Sequence, residues 1–445
     1  MKPHLILNAT VVNEGNLLEQ DVLLKNGKIE RVGTDLQHCD AGDIIDASGL
    51  YLIPGMIDDQ VHFREPGLTH KADIKTESAA AVAGGITSFM EMPNVSPPTT
   101  NTEALENKFG LAAKNSLANY SFYIGATNTN IRDVVSIDTR AVCGIKVFMG
   151  ASTGNLLVDD PKALEKIFNL APTLVATHCE DNHTISKNLR AAKKKFGEDI
   201  PVSQHPVIRS EEACFLSSSF AVDLAKNNNT ELHVLHISTE KELSLFSSQP
   251  LKSKKITAEA CVHHLWFNDD GYSSHGSLIK CNPAIKKESD RKALIEAVNL
   301  GLIDIIATDH APHTRKEKDE RYSESPAGIP LVQHALLSLL DHFHEDTFSL
   351  ETIIEKVCHN PASRFHVKDR GYIREGYAGD IVLLDLTKGT TVTKGNIAYK
   401  CGWSPFEGHD FKSKICATYV NGELVFDGEK IVSDIGNAMA LKFDR

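Results

Sequence analysis

Eight short runs rich in apolar residues alternate with helix-like segments through the middle of the chain. They cover residues 56–61, 86–92, 120–125, 144–149, 173–178, 232–237, 256–259 and 303–309. Strands that alternate with helices form a parallel sheet, and eight of them indicate an α/β fold, the (β/α)8 or TIM barrel. A doubly wound open sheet is the alternative, but no G-x-G-x-x-G fingerprint supports its dinucleotide-binding form.

The two ends of the chain carry a different pattern, in which strand-like runs are joined by tight turns. Asn26-Gly27 and Asn421-Gly422 each separate two such runs, and Asn-Gly between strands is a strong hairpin signal. Neither end is long enough to bury a core alone, so both are expected to associate in one small domain resembling a β-sandwich. We predict that residues 1–53 and 371–445 form this domain and that residues 54–370 form the barrel.

Composition restricts the partners and the compartment. The formal net charge of -12 argues against nucleic acid or an anionic membrane as partner, because both bind basic surfaces. Nine cysteines without a C-x-x-C pair fit reduced thiols better than a disulfide framework. No apolar run approaches the roughly 18 residues of a membrane helix, and the N-terminus lacks a secretion signal. We expect a soluble cytoplasmic protein that acts on a small molecule.

Five polar side chains fall at or near the carboxyl ends of the predicted strands: His62, Lys146, His178, His236 and Asp309. Barrel enzymes build their active sites at this end. Each residue alone has an ordinary structural explanation, but five at the same end of five strands indicate a common site. Three imidazoles and a carboxylate are common ligands of a divalent first-row metal, and zinc is the first choice.

His62 and Arg64 are two residues apart in the first run, so an extended chain would point both to one face. A neutral imidazole suits zinc, and a guanidinium suits a carboxylate or phosphate. The alternative is a hydrogen-bonded core histidine beside a surface arginine. The pattern favours a metal ligand next to an anion-binding group.

Seven motifs lie in order along the chain: PGMIDDQVHFREPG at 54–67, MEMPN at 90–94, GIKVFMG at 144–150, THCED at 177–181, LHIS at 235–238, CNPAI at 281–285 and ATDHAPH at 307–313. With REGYAGDIVLLD near the C-terminus, they resemble dihydroorotase, within the cyclic amidohydrolase superfamily. The resemblance covers nearly the whole chain. It implies the reversible interconversion of N-carbamoyl-L-aspartate and (S)-dihydroorotate plus water, in de novo pyrimidine biosynthesis.

The resemblance also implies a metal centre with one or two zinc ions per chain, bridged by a carboxylated Lys146. His178 and His236 would hold one zinc, and His62 and Asp309 the other. Asp309 would also be the general acid and base. Oligomers are common among such barrels, so a homo-oligomer is expected by analogy.

Six substrate contacts are implied in the same way: a carboxylate clamp of Arg64, Asn94 and His313, a ring-amide contact from Asn282, and backbone that closes over the ring at Ala327 and Gly328. Hydantoinases and allantoinases share the metal chemistry, but their substrates lack the α-carboxylate. Arg64 is therefore the position that distinguishes these activities. The charged segment 311–326 is either a solvated loop or a lid that orders over substrate.

One position departs from the family motif. Gln60 stands where the opening His-x-His usually has its first histidine, and an amide oxygen is a weaker zinc ligand than an imidazole. We expect weak ligation by Gln60, a water in its place, or a partly empty metal site. An active enzyme is favoured because the other ligand positions are filled; an inactive relative that serves as a scaffold is the alternative.

His263 and His264 follow the seventh run and are also ligand types. Adjacent residues of a strand face opposite sides of the sheet, so both cannot point into a barrel. We therefore leave this pair out of the expected site. Glu91 and Glu259, near other strand ends, are left unassigned.

Overall fold

A computed structural model gives the structure of the chain, and it describes residues 2–150, 154–433 and 437–445. The strands in these residues are β1 (His4–Asn13), β2 (Asn16–Lys25), β3 (Lys28–Gly33), β4 (Asp43–Asp46), β5 (Tyr51–Pro54), β6 (Met56–Val61), β7 (Ile86–Glu91), β8 (Asn119–Gly125), β9 (Gly144–Phe148), β10 (Val175–His178), β11 (Leu232–Val234), β12 (Ile256–Cys261), β13 (Ile305–Ala307), β14 (Ile381–Asp385), β15 (Thr390–Thr391), β16 (Asp410–Phe411), β17 (Lys414–Val420) and β18 (Glu423–Phe426).

The α-helices in the same residues are α1 (Ile74–Ala83), α2 (Thr102–Asn115), α3 (Ile131–Val135), α4 (Pro161–Leu170), α5 (Asn182–Phe196), α6 (His205–Ile208), α7 (Glu211–Asn228), α8 (Glu240–Leu243), α9 (Val262–Trp266), α10 (Tyr272–His275), α11 (Glu288–Asn299), α12 (Arg315–Lys318), α13 (Ala335–His344), α14 (Leu350–Ile354) and α15 (Asn360–Phe365). A π-helical segment, Glu355–His359, joins α14 to α15. Within the described ranges, no helix has both the length and the apolar character to cross a membrane.

Strands β6 to β13 form one parallel sheet in chain order, each hydrogen-bonded to the next. The sheet nearly closes on itself, because the His62 backbone N–H after β6 donates to the His310 carbonyl after β13 at 2.7 Å. Every residue of β7, β8 and β9 is buried, which explains why these strands read as near-continuous apolar runs. The predicted eight-stranded α/β barrel is confirmed.

A second eight-stranded sheet combines both ends of the chain. Its order is β18-β17-β14-β5-β1-β2-β3, with β4 paired to β1. The central junction is β5, which pairs in parallel with β1 and antiparallel with β14. The two ends therefore share one sheet, while the boundaries predicted at residues 53 and 371 remain predictions.

The two Asn-Gly turns have the conformation that their sequences predict. Asn26 and Gly27 have φ values of 53° and 81°, and Asn421 and Gly422 have values of 49° and 73°. Two consecutive positive φ values are typical of the type I′ turn, which joins two antiparallel strands. The turns also pack together, since a Cβ atom added at Gly422 would lie 3.1 Å from the Cα of Gly27.

The prediction that His263 and His264 continue a strand is wrong. Strand β12 ends at Cys261 and α9 begins at Val262, so both histidines lie in the first turn of a helix. Their ring centroids are 4.2 Å apart. Both side chains are buried next to Cys261, an arrangement that strand alternation does not allow.

A buried polar network joins the terminal sheet to the barrel. Asp380, next to β14, accepts hydrogen bonds from the Asn119 side chain at 3.1 Å and from the Asn421 backbone at 2.7 Å. Asn421 donates from its side chain to Asn119 at 2.8 Å, and Arg370 forms a buried ion pair with Asp380. Because Asn119 begins β8, this network ties the barrel to the second sheet.

We predict that Asp380→Ala lowers the free energy of unfolding by about 3 kcal/mol, because it leaves the buried guanidinium of Arg370 without its counter-charge. Urea unfolding followed by circular dichroism measures this loss. Glu407→Ala is the control; it removes a surface contact with Lys394 at 4.0 Å and should cost less than about 0.5 kcal/mol. Equal losses in both variants would show that the network does not link the two sheets.

Candidate active site

The carboxyl ends of the barrel strands surround a cavity of about 90 Å³. It is lined by Gln60, His62, Arg64, Asn94, Lys146, Phe148, His178, His236, Asn282, Asp309, Ala311, Ala327 and Gly328. Every predicted site residue except His313 is in this set. The structure thus brings together side chains that lie up to about 270 positions apart in the sequence, as parallel strands do at one rim of a barrel.

His62 and Asp309 form the first pair of ligand-type side chains. His62 Nε2 lies 3.0 Å from Asp309 Oδ1, and His62 Nδ1 lies 2.7 Å from Asn94 Oδ1. Each ring nitrogen of His62 therefore faces an oxygen atom, one of Asn94 and one of Asp309. Burial alone would raise the pKa of Asp309, but the hydrogen bond and charge of His62 outweigh it and lower that pKa. Asp309 is therefore a carboxylate at neutral pH.

His178 and His236 form the second pair. His178 Nδ1 lies 2.9 Å from His236 Nε2. The other nitrogen of His178, Nε2, donates to Glu180 Oε2 at 2.9 Å, which leaves Nδ1 to face His236. Burial lowers the pKa of both imidazoles, so both are neutral and have a lone pair. Glu180 in turn forms an ion pair with Arg209.

The two pairs fit a divalent metal ion. Ligand atoms at about 2.1 Å from a tetrahedral ion lie roughly 3.4 Å apart, and the observed separations of 3.0 and 2.9 Å are close to that spacing. Lys146 is buried among these residues, with its Nζ 4.7 Å from the centre of the Phe148 ring. Burial lowers the pKa of Lys146 to about 8, which raises the fraction of neutral amine. An unmodified ammonium is not a metal ligand.

Gln60 occupies the rim but directs its amide nitrogen toward Asp309. Its Nε2 donates to Asp309 Oδ1 at 3.1 Å, and its Oε1 lies 3.8 Å from Cys261 Sγ. An amide nitrogen has no lone pair to offer a metal. In this arrangement Gln60 orients the Asp309 carboxylate.

Arg64 supplies the positive charge of the cavity. Its Nε donates to the Pro312 carbonyl at 3.2 Å, and its Nη2 lies 3.1 Å from His313 Nε2. Burial lowers the pKa of Arg64 to about 10, so the guanidinium stays charged at neutral pH. Across the described residues no carboxylate pairs with it within 4.0 Å. A buried cation without a counter-charge is costly, so the cavity favours an anionic ligand.

His313 lies behind Arg64 rather than on the cavity wall. Its Nδ1 is 3.0 Å from Lys71 Nζ, and its Nε2 is 3.1 Å from the Ala327 carbonyl. Burial, followed by the charges of Arg64 and Lys71, holds its pKa well below the usual value. His313 therefore connects the guanidinium to the backbone at Ala327. Asn282, in contrast, lines the cavity, and its buried Oδ1 accepts no hydrogen bond from the residues that the structure describes.

The charged segment 311–326 is folded against the barrel. Lys318 is buried, and its Nζ donates to the carbonyls of Lys280, Pro326 and Gly328 at 3.0, 2.9 and 2.9 Å. Glu317 forms an ion pair with Lys71 at 3.0 Å. These contacts anchor the backbone next to Gly328. A lid role for this segment remains a prediction.

The sequence reasoning missed the residues that support the ligand-type side chains. Glu180 could have been found, because it follows His178 by two positions. Glu259, left unassigned, accepts a hydrogen bond from the His236 backbone at 3.0 Å. It also lies 3.5 Å from His233 Nε2, whose other neighbour is Asp59 at 3.2 Å. Burial opposes protonation of His233, but these two carboxylates raise its pKa to about 9. No local signal predicts this interior cluster.

Comparison with known proteins shows the family of the chain. A sequence model described as the Amidohydrolase family matches residues 51–425. The chain is 31% identical to a dihydroorotase of Halobacterium salinarum over 96% of this chain and 97% of that protein. It is 30% identical to a dihydroorotase of Lactobacillus johnsonii over 95% and 98% of the two chains.

Solved structures with the same fold include two cyclic amidohydrolases. An L-hydantoinase (dihydropyrimidinase) from Arthrobacter aurescens superposes with a TM-score of 0.94 at 23% identity, over 99% of this chain and 100% of that chain. A dihydropyrimidinase from Brevibacillus agri gives a TM-score of 0.90 at 23% identity, over 100% of both chains. At 23% identity, these two similarities show the fold alone.

We predict that Glu180→Gln weakens Zn²⁺ binding about 10- to 100-fold, because a neutral amide holds the His178 ring less firmly and leaves Arg209 unpaired. Competition with a chelator measures the dissociation constant. Glu212→Gln is the matched control, since it removes a charge from an exposed ion pair with Lys241. An unchanged affinity in Glu180→Gln would contradict a role for Glu180 in orienting His178.

Proposed function

Because the chain belongs to the amidohydrolase family and is a hydrolase of cyclic amides of the dihydroorotase type, we propose that it interconverts N-carbamoyl-L-aspartate and (S)-dihydroorotate plus water. In this role it would serve de novo pyrimidine biosynthesis. Zinc is the proposed metal. A cytoplasmic location and a homo-oligomeric state remain predictions.

The observation that carries the substrate assignment is the guanidinium of Arg64 in the cavity wall, which has no carboxylate partner among the described residues. Dihydroorotate and N-carbamoyl-L-aspartate both carry an α-carboxylate, which a guanidinium binds through two parallel hydrogen bonds. Hydantoin and allantoin lack this group and would leave the cation unpaired. We therefore assign the carboxylate to Arg64, with Asn94 and His313 as neighbours that complete or orient the clamp.

For the metal, we assign His178 and His236 to one zinc ion and His62 and Asp309 to a second. The neutral amine of Lys146 would attack CO₂ and release one proton to solvent, which would give a carbamate anion with two oxygen donors for the metal site. Zinc, when bound, polarises a carbonyl and lowers the pKa of water. Gln60 removes one imidazole from the second position, so that ion is expected to bind more weakly.

The side chains of this chain have separate tasks in the hydrolytic direction. Arg64 fixes the carboxylate end of the ring, and Asn282 contacts the ring amide. The Asp309 carboxylate accepts a proton from the attacking water and passes it to the amide nitrogen as the carbon–nitrogen bond breaks. Because its pKa is lowered, Asp309 is ionised at neutral pH, which is the form that can accept a proton. The backbone at Ala327 and Gly328 covers the ring and limits the access of bulk water.

The test of the proposal compares wild type and Arg64→Met on dihydroorotate and on hydantoin. Wild type should prefer dihydroorotate. Arg64→Met should raise KM for dihydroorotate about 10- to 100-fold, because it removes a charge-assisted pair worth about 1.5–3 kcal/mol. Activity on hydantoin should not fall. Steady-state kinetics with each substrate measure both values.

Arg315→Met is the control for this experiment, because Arg315 is exposed on α12 and forms a surface ion pair with Asp319. A wild-type enzyme that hydrolyses hydantoin faster than dihydroorotate would select the hydantoinase assignment instead. An unchanged KM in Arg64→Met would refute the clamp.

Asp309→Asn should lower kcat about 10²- to 10⁴-fold, because an amide cannot accept the proton of the attacking water. The fold should persist, as circular dichroism can check, and zinc content should be measured on the same sample. Asp319→Asn, on the exposed side of the same segment, is the matched control. Turnover near the wild-type value in Asp309→Asn would remove this residue as the acid and base.

A further inference from the structure

Cys261, His263 and His264 form a second group of ligand-type side chains, called here the Cys–His cluster. Their sulfur and imidazole nitrogens lie within 4.8 Å of one another, and all three side chains are buried. The cluster exists because β12 ends at Cys261 and the first turn of α9 brings both imidazoles back toward the thiol. None of its members belongs to the ligand set assigned to the catalytic centre.

Three of the four imidazole nitrogens of the cluster have no hydrogen-bond partner among the described residues. Within the described part of the chain, neither ring nitrogen of His263 makes a hydrogen bond of normal geometry, although the ring approaches the Thr308 backbone. His264 donates from Nε2 to the Pro283 carbonyl at 3.0 Å, so its Nδ1 carries a lone pair, and this buried nitrogen also has no partner. Buried polar atoms are nearly always paired in native proteins, so these unpaired nitrogens point to a missing ligand.

The protonation states of the two imidazoles and the thiol allow the cluster to bind a cation. Burial lowers the pKa of His263 to about 4 and that of His264 well below its usual value, so both imidazoles are neutral. Burial raises the pKa of Cys261, which leaves the free thiol protonated. A divalent metal displaces that proton to solvent as the sulfur–metal bond forms.

Gln60 supplies a fourth donor. Its Nε2 donates to Asp309, and its Oε1 accepts a hydrogen bond from the Cys261 thiol at 3.8 Å; the second acceptor of that thiol is Glu259 Oε1 at 3.5 Å. Sulfur and oxygen ligands of a tetrahedral zinc ion lie roughly 3.6 Å apart, given bond lengths of about 2.3 and 2.1 Å. A thiolate, two imidazoles and one amide oxygen would supply the four donors that zinc prefers.

We infer that the Cys–His cluster binds a divalent transition metal, Zn²⁺ in preference to Mg²⁺ or Ca²⁺, at a site separate from the catalytic ligands. Thiolate and imidazole donors select borderline metals such as zinc and cobalt over hard cations. The site lies directly behind Gln60. An ion there would hold the amide in the position that orients Asp309, and this inference does not depend on which cyclic amide the enzyme hydrolyses.

Cobalt substitution tests the site directly. The protein is stripped with a chelator and reloaded with Co²⁺, and its absorption spectrum is recorded. A Co²⁺ ion bound by a thiolate absorbs strongly in the near ultraviolet through sulfur-to-metal charge transfer, whereas the catalytic ligands offer only nitrogen and oxygen. Wild type should show this band and bind one more Co²⁺ per chain than Cys261→Ser.

Cys179→Ser is the matched control, because Cys179 is buried next to His178 and donates to Thr177 Oγ1 instead. It should keep the band. His264→Gln should weaken the band while leaving the thiol in place, which covers the case in which Cys261→Ser does not fold. Wild-type protein without the band, or a band that survives in Cys261→Ser, would overturn the inference. Turnover is measured separately, so a failure of the dihydroorotase assignment would not be mistaken for a failure of this site.

Discussion

The near-closure of the parallel barrel between β6 and β13 is the constraint on which the site depends. The backbone hydrogen bond from His62 to His310, at 2.7 Å, joins the first and last barrel strands. Because all eight strands are parallel, their carboxyl ends meet at one rim. His62 and Asp309 therefore come within 3.0 Å although 247 residues separate them. Without this closure His62 and Asp309 would lie at opposite edges of an open sheet.

The rim holds its side chains in unusual backbone conformations. Arg64, His236 and Asp309 have φ values of 70°, 41° and 47°, in the left-handed region that non-glycine residues seldom adopt. Each such residue costs about 1–3 kcal/mol, which the surrounding contacts must offset. Glu259 contributes by accepting the His236 backbone N–H at 3.0 Å. The strand ends thus turn sharply enough to aim these side chains into the cavity.

Charge is distributed so that the cavity attracts an anion and offers lone pairs. Burial keeps the His62, His178 and His236 imidazoles neutral, while the Arg64 guanidinium remains charged without a carboxylate partner in the part of the chain that is described. The proposed substrate has one carboxylate, which suits the Arg64 guanidinium, and one carbonyl, which suits a metal held by the imidazoles. Gln60 lies between the cavity and the Cys–His cluster, because its amide contacts both Asp309 and Cys261.

Local patterns in the sequence determined the alternation of strands and helices, the two Asn-Gly hairpins and the polar residues at the strand ends, because each depends on neighbours a few residues away. Tertiary structure alone decided which distant side chains support them. Glu180 pairs with Arg209, Lys318 anchors the backbone at Gly328, and His313 stands behind Arg64, all through contacts between separate elements. The secondary structure at His263 and His264 was predicted wrongly for the same reason. Whether a chain continues as a strand or turns into a helix depends on what packs against it.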